Sequence, residues 1–201
     1  MKKDYLHICV VLDASGSMDH LTQTTQNTFD EFLETQRKFP GKTVFDLFQF
    51  SDEVKHLIQK TDLSAVSRKL MSDYVCGGMT AMNDAICTAI DTLGEMFASM
   101  PDSERPEKVL VAILTDGEEN ASQYFSAADV KQKIEHQKNV YSWEFMFLAA
   151  NQDSVIQGEQ IGLAAKDCFD FHANMSGLGT VKEALVERCC AIRTFPDDKN
   201  Q

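Results

Sequence analysis

Positive charge is scarce in this chain. Its 201 residues carry 19 lysines and arginines against 31 aspartates and glutamates, a formal charge of −12. Phosphate backbones are held by releasing counterions to Lys and Arg, so this balance argues against nucleic acid as a partner. It argues equally against adhesion to an anionic membrane surface. No apolar run approaches the ~18 residues of a membrane span. The basic pair Lys2-Lys3 precedes an apolar stretch, Ile8–Leu12, that is too short for a signal peptide and stops at Asp13. Also missing is any C-x-x-C pair: the six cysteines, Cys9, Cys76, Cys87, Cys168, Cys189 and Cys190, show no zinc spacing with histidine. Cys9 and Cys168 fall in expected strands, and Cys189 and Cys190 in an expected helix, where thiols act as small apolar fillers. With no export signal, the expected setting is the reducing cytoplasm. Internal repeats, low-complexity tracts and linkers are absent too.

The 43% of apolar residues is enough for a full core. The length suits a single domain, taken as residues 1–195, with a frayed polar tail at 196–201. Strand and helix alternate along it. Strands are expected at Tyr5–Leu12, Thr43–Phe50, Val54–Ile58, Lys108–Thr115, Trp143–Ala149 and Cys168–Phe171. The turn Ser51-Asp52-Glu53 is short enough for a hairpin, which makes Val54–Ile58 an antiparallel edge. Helical spacing marks Leu21–Gln36, Ala81–Met100, Ala127–Gln137 and Leu178–Arg193, with shorter helical pieces over Asp62–Tyr74 and before Ala165. The fold class that follows is α/β. It is a three-layer α/β/α sandwich around a doubly wound, mostly parallel six-stranded sheet with one antiparallel edge strand.

In such sheets ligands gather beyond the carboxyl ends of the strands, near the point where strand order reverses. Three polar groups fall there. Asp13, Ser15 and Ser17, in the stretch DASGS, follow the first strand on alternate residues, and alternate residues of an extended segment point the same way. Thr80 follows Gly77-Gly78 just before a long helix. Asp116, with Gly117, directly follows the apolar run VLVAIL of the central strand. Each has a plainer reading alone: a polar loop, a helix cap, a turn. Their joint occurrence in this order is what points to one site.

The set D-x-S-x-S, then Thr80, then Asp116 in LTDG resembles the metal-ion-dependent adhesion site of von Willebrand factor A domains, also called integrin I-like domains. The similarity in element order runs from about Tyr5 to Arg193. The stretch WEFMFLAANQD looks most like the stand-alone bacterial and phage members. The resemblance implies a metal site formed by Asp13, Ser15, Ser17, Thr80 and Asp116, with Ser15 and Ser17 touching the ion directly. Two carboxylates and three hydroxyls are all hard oxygen donors, which suits Mg²⁺. Mn²⁺ fits the same set, and Ca²⁺ usually asks for more charged ligands. So few anionic donors leave the ion short of charge, and the open position should draw an Asp or Glu from a partner protein. The amino end of the Ala81 helix adds a partial positive charge that favours the same anion. Related A domains often work with AAA+ ATPases or in larger assemblies, so a partner of that kind is implied.

Four further residues flank the set. Asp84 either complements the helix dipole or orients the site from behind the ligands. Gly78 and Gly117 shape the loops, and Asp19 sits on the rim with His20. Glu118 and Glu119 read as solvated loop acids. Two other readings stay open. A metal-dependent phosphatase or hydrolase of the haloacid-dehalogenase kind needs an acid two residues after Asp13, where this chain has Ser15. His7, His20, His56, His136 and His172 are scattered, with no nucleophile motif beside them. A metal that serves only folding is the other reading. The expectation is therefore a binding module, not an enzyme.

Overall fold

Val109–Leu114 is apolar and buried at every position, which suits a strand covered by helices on both faces. It forms the heart of β4 (Pro106–Thr115) in the computed structural model, which describes residues 1–65, 70–150 and 153–194. β4 lies parallel to β1 (Lys2–Asp13) on one side and to β5 (Glu144–Ala150) on the other. β2 (Lys42–Phe50) extends the sheet beyond β1, and β6 (Cys168–Phe171) extends it beyond β5, both parallel. Edge strand β3 (Val54–Asp62) pairs antiparallel with β2, as the short turn between them requires. The order is β3-β2-β1-β4-β5-β6, so the winding reverses between β1 and β4.

Alternate residues of β1 sort to opposite faces. Leu6, Ile8, Val10 and Leu12 pack with Phe29, Phe32 and Leu33 of α1 (Thr22–Arg37) and with Leu178, Val181 and Leu185 of α5 (Met175–Thr194). Cys9 and Val11 face Ile86, Ile90 and Leu93 of α2 (Met82–Ala98) and Val130 and Ile134 of α3 (Ala127–Tyr141). The short α4 (Ser154–Gln160) lies on this second side, followed by buried Ile161 and Leu163. Three layers result, as expected. Burial pushes the Cys87 and Cys189 thiols up to about 12 and Cys168 up to about 11, so they remain protonated apolar filler. Among the described residues no helix is long and apolar enough to cross a membrane.

Three stretches depart from their expected form. β3 runs past Ile58 because Lys60 adopts a positive φ of 42°, a bulge whose N–H turns to Asp46 Oδ1 at 3.1 Å. The helical piece expected over Asp62–Tyr74 is not one helix. Asp62 Oδ1 accepts from both Ser64 N and Ser64 Oγ, a local turn that competes with helix. Single 3₁₀ turns stand at Leu63–Ala65 and Met71–Asp73; residues 66–69 between them lie outside the described residues, as does the tail expected at 196–201. α3 also continues past Gln137 to Tyr141, where Ser142 ends it in the left-handed conformation.

A polar chain is buried near the opposite end of the sheet from Asp13. The Tyr5 hydroxyl meets His7 Nδ1 at 3.2 Å, and His7 Nε2 meets Asp46 Oδ2 at 2.8 Å. His56 Nε2 lies 2.5 Å from Asp46 Oδ1, which ties the edge strand to β2. Burial alone would raise the Asp46 carboxyl, but the bonds from His56, His7 and the Lys60 N–H outweigh it and hold the group at about 2. A depressed carboxyl stabilises the fold above its ordinary value and loses that contribution as pH falls toward the depressed one. The stability advantage over Asp46→Asn is thus expected to shrink by about 2 kcal/mol as pH drops from ~5 to ~2. Urea denaturation of both proteins across that range checks this, and a pH-independent difference would contradict it.

Candidate metal site

β1 ends at Asp13, whose side chain is fully buried. Asp13 Oδ1 accepts the Ser15 N–H at 2.7 Å, a tight turn that launches the 3₁₀ segment Gly16–Leu21. Thr115, the last residue of β4, donates its hydroxyl to Asp13 Oδ2 at 2.6 Å. From below, the Tyr74 hydroxyl donates to the Asp13 carbonyl at 2.5 Å. Ser17 Oγ donates to Asp116 Oδ1 at 2.5 Å and lies 2.9 Å from Ser15 Oγ. A hydroxyl has one proton, so with Ser17 committed to Asp116 it is Ser15 that donates to Ser17. Asp13 and Ser15 form a buried floor, while Ser17 is exposed and Asp116 half-buried at the opening.

Thr80 arrives on a separate loop that is stitched to the first. Gly77 N–H donates to the Ala14 carbonyl at 2.7 Å, and Gly16 N–H to the Gly78 carbonyl at 3.0 Å. Gly78 has a φ of +86°, and a Cβ there would stand 2.1 Å from Asp52 Oδ2, so only glycine fits. Asn120 grips Thr80 from the other side: its Oδ1 accepts the Thr80 N–H at 2.9 Å, and its N–H donates to the Thr80 carbonyl at 3.1 Å. The Thr80 side chain does not cap α2. The cap position is Ala81, and among the described residues the Thr80 hydroxyl has no hydrogen-bond partner.

A single point measures how closely the oxygens converge. A Cβ built on Gly117 would lie 3.3 Å from Thr80 Oγ1, 3.8 Å from Ser17 Oγ and 3.9 Å from Asp13 Oδ2. Glycine keeps that cradle open. Among the described residues no lysine, arginine or histidine forms an ion pair with Asp13 or Asp116. Burial raises the Asp13 carboxyl above its ordinary range, opposed by the bonds from Thr115 and Ser15, while nearby Asp116 raises it further. Buried acids are paired or bound to metal as a rule, and this one has only neutral donors. Among the described residues there is no cluster of three or more His, Cys, Asp and Glu side chains fit for a metal. A cation here would rest on hydroxyls and two carboxylates, a donor set that fits a hard dication and not a soft one.

Two of the flanking acids have definite partners. Asp84 neither reaches the ligand set nor acts merely on the helix dipole. Its carboxylate accepts the N–H groups of Gln123, Tyr124 and Phe125 at 2.8, 3.1 and 2.9 Å, fastening the loop after β4 to α2. Glu119 is not a solvated acid. It accepts the Asn83 N–H at 2.8 Å and the Ser122 hydroxyl at 2.7 Å, and Ser122 Oγ in turn accepts the Asp84 N–H at 3.0 Å. The amino end of α2, expected to attract a partner's anion, is thus already occupied by Glu119. Asp19 is exposed on the rim, and His20 Nδ1 lies 2.8 Å from the Ser17 carbonyl.

Thr115, Tyr74 and Asn120 were missed. A hydroxyl at the end of the otherwise apolar β4 was the available signal for Thr115; nothing local marks the other two. Thr115→Val removes the hydroxyl that positions Asp13 and that also accepts the Gly117 N–H at 3.1 Å. It is expected to weaken Mg²⁺ binding about 10–100-fold in calorimetry, as loss of a partner behind a metal ligand does. Unchanged affinity would show that Asp13 needs no such support.

An all-oxygen cluster at the reversal point of a doubly wound sheet defines a class: α/β domains with a cation site above β1 and β4. The von Willebrand factor type A domain model matches residues 7–182, and the chain belongs to that family. Its members are known for metal-dependent protein interaction through a divalent ion at the metal-ion-dependent adhesion site. No curated protein matches the sequence. Among solved structures, the chain is similar to proximal thread matrix protein 1 from the mussel byssus, in a form with a zinc-occupied MIDAS motif. That match has TM-score 0.66 and 16% identity, covering 94% of this chain and 46% of the other. A mutant of the PilB minor pilin from Streptococcus sanguinis matches with TM-score 0.65 and 11% identity over 94% and 62% of the two chains. A von Willebrand factor type A protein from Catenulispora acidiphila gives 0.61 and 14% over 92% and 42%. At such identities the likeness is one of fold. The chain spans about half the length of the mussel protein, 46%.

Proposed function

We propose that this domain is a metal-dependent docking module in which Asp13, Ser15, Ser17, Thr80 and Asp116 hold Mg²⁺ and a partner protein supplies an Asp or Glu. The reading rests on one observation: these oxygen-bearing side chains share an opening where, among the described residues, no lysine, arginine or histidine pairs with the two carboxylates. Ser15 and Ser17 present neutral hydroxyls, and Thr80 has its hydroxyl unspent. Asp13, bound by Thr115 and Ser15, reaches the ion directly or through water, as does Asp116. When bound, the ion supplies an incompletely filled coordination shell that takes up an anionic oxygen. The mussel protein's zinc makes Zn²⁺ the competitor to test beside Mn²⁺ and Ca²⁺.

The six free cysteines support a reducing, cytoplasmic setting. The stand-alone bacterial or phage placement rests on compactness and on the likeness of WEFMFLAANQD, and an AAA+ ATPase or a larger assembly is the partner type carried over from related domains. Parallel pull-downs in magnesium and in EDTA, with an Asp13→Ala control, test the reading. A partner retained only by the unaltered protein in magnesium is expected. The same partner held in EDTA would assign the metal to folding.

A further inference from the structure

The end of the molecule that carries the site has a one-sided composition. Segments 14–21, 51–53, 74–81, 116–126 and 172–174 meet there, and none contains a lysine or arginine. Lys55, the next cation along the chain, already belongs to edge strand β3. Asp19, Asp52, Glu53, Glu118 and Asp153 are exposed on the same end. So are most of the large apolar side chains that meet solvent. Val75, Met79, Tyr124, Ile156 and Met175 are 65%, 56%, 82%, 57% and 75% exposed, whereas Met1, Val140 and Tyr141 lie toward the opposite end. Isolated apolar side chains need no explanation, but their gathering around one opening marks an interaction surface. A groove of about 580 Å³ leads away from the site between α2, the loop after β4 and α4, lined by Met82, Ile156 and Ile161 with Glu118 and Asp153.

We infer that this end docks a protein segment carrying one carboxylate flanked within a few residues by lysine or arginine and by apolar side chains. The inference rests on the metal reading above and adds the chemistry of the partner around its acid. Charge complementarity is the argument. Apart from a bound dication, the described residues exposed at this end are acidic, neutral polar or apolar, with no lysine or arginine among the segments that meet there. A long cationic side chain suits the groove: its stem lies along Ile156 and Met82, and its head reaches Glu118 and Asp153. Basic flanks also remove an opposition in the simpler reading, in which a protein of charge −12 must attract an acidic ligand. A partner with a local positive excess is steered toward this face, and like-charged competitors are turned away.

A random peptide library displayed on phage, panned on the whole protein in magnesium and eluted with EDTA, tests this. Eluted sequences are expected to share an Asp or Glu with Lys or Arg and an apolar residue nearby. A fixed acid with no basic enrichment would overturn the inference and leave the metal reading standing. No EDTA-released sequence would overturn both. As a second arm, Tyr124→Ser combined with Ile156→Ser is expected to weaken a selected peptide by roughly tenfold or more, the scale of burying such side chains. Mg²⁺ affinity of that variant, read by calorimetry, should not change. An unaffected peptide would remove the apolar rim from the docking surface.

Discussion

Asp116→Ala is expected to abolish measurable Mg²⁺ binding while leaving the protein folded. The side chain is half-buried at the opening, and its described bond is the one it accepts from Ser17, so its removal leaves no large cavity. Its loss takes away one of two carboxylates in a set otherwise made of hydroxyls, and with it half the formal charge facing a dication. Residues that only orient metal ligands typically contribute 10–100-fold in affinity, so a carboxylate that itself faces the ion, directly or through one water, should contribute about 100-fold or more. Ser17 also loses the group that fixes its proton, and the Ser15–Ser17 pair loses its direction. Two readouts separate binding from stability. In calorimetry the unaltered protein should bind Mg²⁺ and the variant should not. In thermal melts Mg²⁺ should raise the Tm of the first alone. A variant that still gains Tm with magnesium would place the ion elsewhere.

Asp84→Ala should produce the largest loss of stability, about 3–5 kcal/mol. Three backbone N–H groups end on this one buried carboxylate, and bonds to a charged group are worth roughly 1.5–3 kcal/mol each before water replaces part of them. For a chain of this size that is a fall in Tm of about 10 °C. The loop Asp84 holds continues from Asp116, Glu119 and Asn120, so its release should weaken Mg²⁺ binding as well. Asp84→Asn keeps an oxygen that accepts two of the three N–H groups and should recover about half the stability. An alanine variant as stable as the parent would mean that the loop is held by Glu119 and Asn120 alone.

How far these features could be read in advance depended on the range of the interaction. The sheet was legible because β1, β2, β4, β5 and β6 announce themselves through local apolar runs, and the hairpin turn before β3 set its direction. The ligand set was legible because Asp13, Ser15 and Ser17 share one short stretch, while Thr80 and Asp116 each sit where an element ends. What local pattern could not carry were contacts across many residues. Tyr74 reaches the Asp13 carbonyl over a separation of 61 residues, and Thr115 reaches the Asp13 carboxylate over 102. Glu119 looks like a loop acid in the sequence because its partners, Asn83 and Ser122, include one on another element. The bulge at Lys60 was hidden for a similar reason: it depends on Asp46 in the neighbouring strand.

Anomalous diffraction from a crystal soaked in manganese would locate the ion. A manganese peak is expected among Ser15 Oγ, Ser17 Oγ, Thr80 Oγ1 and the carboxylates of Asp13 and Asp116, touching some and bridged to the others by water. A peak elsewhere on the molecule, or no peak while these side chains keep their mutual hydrogen bonds, would contradict this placement.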